Sequence, residues 1–179
     1  MRPILLIPNL LSAARLVIAA LFPLAQLDAR PWLVLAAALT DLLDGVIARR
    51  FHATSWAGGL LDALADKAFA LTLLITLTID GRIPPPFLPL LLSRDITVAA
   101  IAAYAAIIRR YDAFRKMPSR TAGRVATAAL FALFLLLTFT DRPTSLDRPA
   151  ILLCGALLFL AAADYFHVFL RAYRQIRTT

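Results

Sequence analysis

Long apolar stretches, separated by short polar and proline-containing breaks, make up most of this chain. Several of them approach the roughly 20 residues that a helix needs to cross a hydrocarbon core about 30 Å thick. The main breaks fall at residues 28–31, 81–86 and 141–149, and loops this short favour antiparallel neighbouring helices. The pattern predicts an all-α polytopic membrane protein, a bundle of six transmembrane helices near residues 9–27, 32–50, 58–79, 86–108, 122–140 and 149–170.

The composition supports lipid as the solvent for most of the chain. Hydrophobic residues account for 61% of it and the mean hydropathy is +0.78, whereas soluble domains are about 45 to 50% apolar. Pro8, Arg15 and Pro23 interrupt the first apolar stretch, which argues against a cleaved secretory signal. The single cysteine, Cys154, excludes an internal disulfide and a thiolate metal cluster. We therefore expect one integral membrane domain over residues 1–179.

The charge distribution indicates a membrane surface rather than nucleic acid as the partner. With 19 Lys and Arg and 11 acidic residues, all of them aspartate, the net charge is +8. The basic residues lie between apolar spans instead of along one soluble face, so they suit anionic lipid headgroups. Four of them fall on one side of the predicted bundle and twelve on the other, which places both termini in the cytoplasm, at the inner membrane. The twelve are Arg2, Arg49, Arg50, Arg109, Arg110, Arg115, Lys116, Arg120, Arg124, Arg171, Arg174 and Arg177.

Four aspartates form two stripes on consecutive predicted helices. In the second helix, positions i, i+3, i+4 and i+7 carry Asp41, Asp44, Gly45 and Ala48. In the third helix, positions i, i+4 and i+8 carry Gly58, Asp62 and Asp66. Because the two helices are predicted to be antiparallel neighbours, we expect the stripes to face each other near the cytoplasmic ends.

Four carboxylates inside a membrane require compensation. A lone charged aspartate costs about 2.5 to 3.5 kcal/mol near the bilayer centre, and mutual repulsion adds to this cost. Protonation, pairing with Arg49, Arg50 or Lys67, and bound cations are the possible compensations. Aspartate oxygens are hard ligands, so the cluster favours two Mg²⁺ or Mn²⁺ ions about 3.5 to 4 Å apart, which suits phosphoryl chemistry. The structural alternative is a tight small-residue helix contact with the aspartates paired to arginines.

The segment from residue 41 to residue 66, DLLDGVIARRFHATSWAGGLLDALAD, resembles the signature of the CDP-alcohol phosphotransferases. That signature, Asp-x2-Asp-Gly-x2-Ala-Arg-x8-Gly-x3-Asp-x3-Asp, is met at every fixed position. The resemblance implies that the metal ligands are Asp41, Asp44, Asp62 and Asp66, with Asp66 also serving as the general base. It further implies a CDP pocket lined by Gly45, Ala48, Arg49 and Gly58. A six-helix membrane architecture, a cytoplasmic active site and a homodimer complete the expectation.

The same resemblance implies a reaction. A phosphatidyl group would pass from CDP-diacylglycerol to an alcohol, and CMP would be released. Glycerol 3-phosphate is the expected acceptor. Phosphatidylglycerol, which would give cardiolipin, is the nearest alternative, followed by inositol, inositol phosphate and serine.

A stretch near the start of the chain is a weaker candidate for a phosphate contact. The sequence IPNLLSAARL resembles the opening of the glycerophosphate and cardiolipin types of the family. This resemblance implies that Asn9 and Arg15 approach a nucleotide or lipid phosphate. The alternative is that the segment simply begins the first helix, with Arg15 snorkelling or paired.

Arginines in the second half of the chain are candidates for the acceptor site. The guanidinium fork matches phosphate oxygens, so Arg94, Arg120 and Arg124 are the candidate acceptor ligands. Arg94 could instead form a structural ion pair with Asp95. The segment GRVAT at residues 123–127 resembles a Gly-Lys-x-x-Thr element of the glycerophosphate types, with Arg124 in place of the lysine.

Two other classes of function remain open on the sequence. A small carrier could use the same aspartates to bind a transported divalent cation without any chemistry. A noncatalytic membrane scaffold would tolerate the loss of Asp66. The glycines and Ala48 with Arg49 between the aspartates favour a nucleotide pocket, which a bare ion path does not need.

Overall fold

A computed structural model describes residues 6–51, 56–107, 121–140 and 143–177 of the chain. Within these ranges, the side chains of residues 6–8, 44–51, 56–57, 105–106 and 172–177 are outside the description. Helices and their connecting turns account for all of the described secondary structure, and this part of the chain contains no strand. The all-α prediction is therefore confirmed.

The described residues form seven α-helices. They are α1 (Leu6–Leu21), α2 (Arg30–Phe51), α3 (Trp56–Ile79), α4 (Leu88–Leu91), α5 (Ser93–Ile107), α6 (Thr121–Phe139) and α7 (Asp147–Arg177). Short 3-10 turns precede α2 and α4, at Phe22–Leu24, Leu27–Ala29 and Pro85–Phe87. Five predicted helices thus correspond to α1, α2, α3, α6 and α7, with ends that differ by a few residues.

The predicted fourth helix is broken. Residues Pro85–Leu91 and Ser93–Tyr104 are bent by 50° relative to each other. Three consecutive prolines and Pro89 limit the first piece to short turns, because proline lacks an amide hydrogen. Leu92, at the junction, has φ −90° and ψ −4°, at the edge of the α-helical region.

Within the described residues, two helices are long and apolar enough to cross a membrane, namely Thr121–Phe139 and Asp147–Arg171. The bent pair that contains α4 and α5 would be a third span if it crosses as one unit. A shorter apolar stretch, Asn9–Leu24, comprises most of α1 and the 3-10 turn that follows it. The count of six spans stays a prediction, as does the single domain over residues 1–179.

The first compact unit comprises residues Met1–Ile83 and Phe134–Thr144. Within it, α1 packs against both α2 and α3. Small side chains let these helices approach closely, since Ala37 on α2 and Ala65 on α3 are completely buried. The larger buried side chains of the unit are Phe22, Val34, Phe69, Leu73, Leu74, Leu77, Ile83, Phe134 and Leu137.

An ion pair joins the start of α2 to the end of α3. Arg30 is 8% exposed and donates to the Asp80 carboxylate. Its Nε also donates to the Ala25 carbonyl at 3.2 Å, and its guanidinium lies 5.4 Å from the centre of the Phe22 ring. Together with Arg82 these charged residues line a cavity of about 270 Å³. This pair fixes the ends of the two helices that carry the aspartate stripes.

Replacing Arg30 by methionine is expected to lower the free energy of unfolding by about 2 kcal/mol. This value lies between those for exposed and fully buried ion pairs, because the Asp80 side chain is 30% exposed. Denaturant unfolding in detergent micelles measures the change. Arg148→Met, at an exposed position of α7, serves as the control and is expected to stay within about 0.5 kcal/mol of the unchanged protein. Equal losses in the two variants would contradict a stabilising role for the pair.

The second compact unit comprises residues Pro84–Leu133 and Ser145–Thr179. In this unit α7 packs against α4 and α5. A Cβ atom at Gly155 would lie 2.5 Å from Leu90 Cδ2, so the glycine allows α4 to approach α7. Large apolar side chains are exposed along the other face of α7, as expected for a surface in contact with lipid; they include Leu152, Leu153, Phe159 and Leu160.

Candidate functional site

Three aspartates from α2 and α3 come together in the first unit. Carboxylate oxygens of Asp41, Asp62 and Asp66 lie within 4.8 Å of one another. Asp62 and Asp66 are one helical turn apart and share a face of α3, while Asp41 approaches from α2. The expectation that the two stripes face each other is confirmed for these three residues.

The three carboxylates are accessible rather than sealed. The exposed fractions of the side chains are 39% for Asp41, 41% for Asp62 and 45% for Asp66. A metal ion or a charged substrate could therefore reach their oxygens without rearrangement of the helices.

A buried arginine from α1 compensates part of the negative charge. The Arg15 side chain is completely buried, and its Nη2 lies 3.4 Å from Asp41 Oδ1. Its Nη1 lies 3.1 Å from Asp62 Oδ1 and donates a hydrogen bond to Asp66 Oδ1. One turn earlier on α1, the buried Ser12 hydroxyl donates to Asp62 Oδ1 at 3.2 Å. The structure thus shows Arg15 paired with all three carboxylates.

Charge counting shows that this compensation is incomplete. Three carboxylates and one guanidinium leave two negative charges among the described side chains of the cluster. Several hard oxygen ligands within one ion's reach and a surplus of negative charge are what Mg²⁺ and Mn²⁺ require. The residues present therefore fit a divalent cation.

The remaining residues of the signature are placed less completely. Gly58 is half-buried in the first turn of α3. The helix α2 includes the other four predicted residues, but their side chains lie outside the described part of the chain: Asp44, Gly45, Ala48 and Arg49. Their assignment to a metal or to CDP stays a prediction.

Asn9 is half-buried and lies six residues before Arg15 on α1. This spacing is less than two helical turns. The predicted contact of Asn9 and Arg15 with a phosphate stays a prediction.

A second polar cluster lies in the second unit. Arg94, on α5, donates from Nη1 to the Thr127 hydroxyl on α6 at 2.7 Å. Its guanidinium carbon lies 5.9 Å from the centre of the Tyr165 ring on α7, within the range of a cation–π contact. Three helices therefore position one half-buried arginine. Of the other two predicted acceptor ligands, Arg124 is exposed on α6 and Arg120 lies outside the described residues.

Gly123 explains how Tyr165 fits beneath this arginine. A Cβ atom at Gly123 would lie 2.6 Å from the Tyr165 hydroxyl, closer than real Cβ contacts allow. The Thr127 hydroxyl in turn donates to the Gly123 carbonyl at 3.0 Å. The GRVAT segment thus provides the surface on which Arg94 and Tyr165 pack.

Ser12 and Tyr165 are contacts that the sequence analysis missed. Ser12 lies one turn from Arg15, so helical spacing indicated that the two side chains share a face of α1. Tyr165 carried none, because its contact with Gly123 depends on how α6 and α7 pack.

Comparison with known proteins gives a consistent assignment. A sequence model of the CDP-alcohol phosphatidyltransferase family matches residues 5–167. A CDP-diacylglycerol–glycerol-3-phosphate 3-phosphatidyltransferase of Aquifex aeolicus is 40% identical over 98 residues, which are 51% of this chain and 55% of that protein. A cardiolipin synthase (CMP-forming) of Streptomyces coelicolor is 35% identical over 150 residues, 77% of this chain and 67% of that protein. Another, of Rattus norvegicus, is 40% identical over 103 residues, 55% of this chain and only 34% of that protein.

Proposed function

We propose that this chain, which belongs to the CDP-alcohol phosphatidyltransferase family, transfers a phosphatidyl group from CDP-diacylglycerol to glycerol 3-phosphate and releases CMP. The chain spans 55% and 34% of the length of the Aquifex and rat relatives. Its activity, substrates and partners are therefore proposals. The observation that carries them is the convergence of Asp41, Asp62 and Asp66 from two helices of an integral membrane protein.

The aspartates are the proposed metal ligands. Asp41, Asp62 and Asp66, with Asp44 beside them in sequence, would hold two Mg²⁺ or Mn²⁺ ions. When bound, such ions neutralise a diphosphate and stabilise the charge that develops on the leaving CMP. Gly45, Ala48, Arg49 and Gly58 would line the pocket for the CDP group.

Asp66 has a second proposed role as general base. Its side chain is 45% exposed, so an acceptor hydroxyl can reach it. The hydroxyl oxygen attacks the lipid-side phosphorus, Asp66 accepts the hydroxyl proton, and the bond to CMP breaks. The proton thus passes from the acceptor oxygen to Asp66, and CMP leaves the phosphorus on the side opposite the incoming oxygen.

Arg94 is the proposed ligand of the phosphate on the acceptor. The contacts with Thr127 and Tyr165 hold its guanidinium in a defined orientation. A preorganised guanidinium binds phosphate with little loss of side-chain entropy. Arg120 and Arg124 are proposed to add positive charge for the same acceptor.

Replacing Arg94 by glutamine is expected to raise the KM for glycerol 3-phosphate by about tenfold or more, since charge-assisted hydrogen bonds contribute roughly 1.5 to 3 kcal/mol. The KM for CDP-diacylglycerol should change little. Steady-state CMP release at varied concentrations of each substrate separates the two effects. Arg171→Gln, at an exposed position of α7, is the matched control. A uniform rise in both KM values would argue against an acceptor role.

Cardiolipin synthesis is the second candidate, because the Streptomyces and rat relatives are named cardiolipin synthases. Its acceptor would be phosphatidylglycerol, whose phosphate is a diester. Purified protein with Mn²⁺ and CDP-diacylglycerol would be given each acceptor in turn, with inositol, inositol phosphate and serine included, and CMP release would be measured. The preferred acceptor identifies the enzyme. Metal uptake into vesicles without CMP release from any acceptor would instead indicate a divalent-cation carrier.

The cellular setting is also a proposal. The excess of basic residues on one side of the predicted bundle supports an inner-membrane protein with both termini and the active site in the cytoplasm. The product and the donor are membrane lipids, so a site near the headgroups suits them. We propose a homodimer and no interaction with nucleic acid.

A further inference from the structure

We infer that Arg15 is the resident cation of the aspartate cluster and competes with divalent metal ions for its carboxylates. The guanidinium would hold the three carboxylates together in the metal-free protein and give up these contacts when metal binds. This inference rests on the metal site of the proposed function and adds a residue that acts against metal binding. Arg15 is here a positioning residue rather than a catalytic one.

The geometry places the guanidinium where a metal ion would be expected. One fork reaches all three carboxylates: Nη1 contacts Asp62 and Asp66, and Nη2 contacts Asp41. The oxygens that it contacts belong to the carboxylates that lie within 4.8 Å of one another. A cation ligated by these carboxylates would share their oxygens with the guanidinium.

Because both are positively charged, the Arg15 guanidinium and a bound metal ion would compete for the carboxylates. An arginine stays protonated at any ordinary pH, so the site cannot release this charge by titration. Two positive charges a few ångströms apart repel each other strongly in a partly buried site. Complete burial of the Arg15 side chain limits how far water can screen this repulsion. The metal must therefore displace the guanidinium or bind more weakly because of it.

The same burial gives Arg15 a role when metal is absent. Without it, the three clustered carboxylates would repel one another with no counter-charge from α1. The contacts also tie α1 to both α2 and α3, the two helices against which it packs. Loss of the guanidinium should thus weaken the metal-free fold while it favours the metal-bound one.

Mn²⁺ binding by purified protein in detergent tests the inference. Arg15→Met keeps a long unbranched side chain without charge. Arg15→Lys keeps the charge, but its single ammonium cannot match the spacing of the fork. The expected order of Mn²⁺ affinity is Met above Lys above the unchanged protein, with a gain of about tenfold or more for Arg15→Met. Calorimetric titration measures affinity, and thermal melting with and without Mn²⁺ measures stability.

Arg30→Met is the matched control. Arg30 is also a buried arginine of the first unit, but its carboxylate partner is Asp80, away from the cluster. This variant should lose stability with its Mn²⁺ affinity unchanged. In contrast, Arg15→Met should melt earlier than the unchanged protein without metal and show the larger gain in melting temperature when Mn²⁺ is added.

Equal or weaker Mn²⁺ binding by Arg15→Met would overturn the inference, because Arg15 would then support the metal site instead of opposing it. If Arg15→Met does not fold without metal, Arg15→Lys decides in the same way. A failure of the unchanged protein to bind Mn²⁺ at all would contradict the proposed function itself. The two failures are therefore distinguishable.

Discussion

Replacing Asp66 by asparagine is expected to lower the rate of CMP release about 10³-fold, the middle of the range for removal of a general base. Asparagine has nearly the same shape, but it neither accepts the hydroxyl proton nor carries the negative charge that attracts a metal ion. The loss should appear in kcat and persist at saturating Mn²⁺, because added metal cannot replace the base. Single-turnover release of CMP from labelled CDP-diacylglycerol, at saturating acceptor, measures it.

The matched control for this variant is Asp28→Asn, which makes the same chemical change at an exposed position of the 3-10 turn Leu27–Ala29. Its rate should equal that of the unchanged protein. Full activity of Asp66→Asn would contradict the role of Asp66 as the general base.

Replacing Asp62 by asparagine is expected to raise the Mn²⁺ concentration for half-maximal activity at least about tenfold. Loss of a residue that only hydrogen-bonds to a metal ligand already lowers metal affinity by about that factor. Asp62 belongs to the cluster with Asp41 and Asp66, and it accepts hydrogen bonds from Ser12 and Arg15. The amide keeps one oxygen ligand and loses the charge. Activity after chelation, measured as Mn²⁺ is added back, gives the concentration.

Asp80→Asn is the matched control for the metal requirement. Asp80 is likewise paired with an arginine of the first unit, but it adjoins the start of α2. Its partner Arg30 precedes Asp41 by 11 residues on α2, a rise of about 16 Å along the helix axis. This variant should need no more Mn²⁺ than the unchanged protein when both are assayed below their melting temperatures. The same metal requirement for Asp62→Asn and Asp80→Asn would contradict ligation by Asp62.

Features with a local signal could be predicted from the sequence. The stripes that contain Asp41, Asp62 and Asp66 follow from helical spacing, and the prediction that they face each other came from treating consecutive helices as antiparallel neighbours. The lengths of the apolar stretches are also a local signal, and they located most of the helices. The proline positions also indicated the break in the fourth predicted helix. In the sequence prediction, however, they marked only the start of that helix.

Features that depend on packing between distant segments could not be predicted. The position of α1 against both α2 and α3 brings Arg15 and Ser12 to the aspartates, and no periodicity within α1 specifies its partners. From the sequence, the expected compensating charges were therefore those nearer the aspartates, at Arg49, Arg50 or Lys67. The orientation of Arg94 by Thr127 and Tyr165 similarly joins three helices that are far apart in the chain.

Electron paramagnetic resonance of the Mn²⁺-loaded protein with CDP-diacylglycerol tests most directly whether the aspartates jointly hold a pair of ions. We expect two bound Mn²⁺ per chain and a magnetically coupled spectrum, as for ions about 3.5 to 4 Å apart. Asp62→Asn should abolish the coupling, and Asp80→Asn should preserve it. A spectrum of isolated Mn²⁺ ions that is the same in all three proteins would contradict the joint binding of two ions by the aspartates.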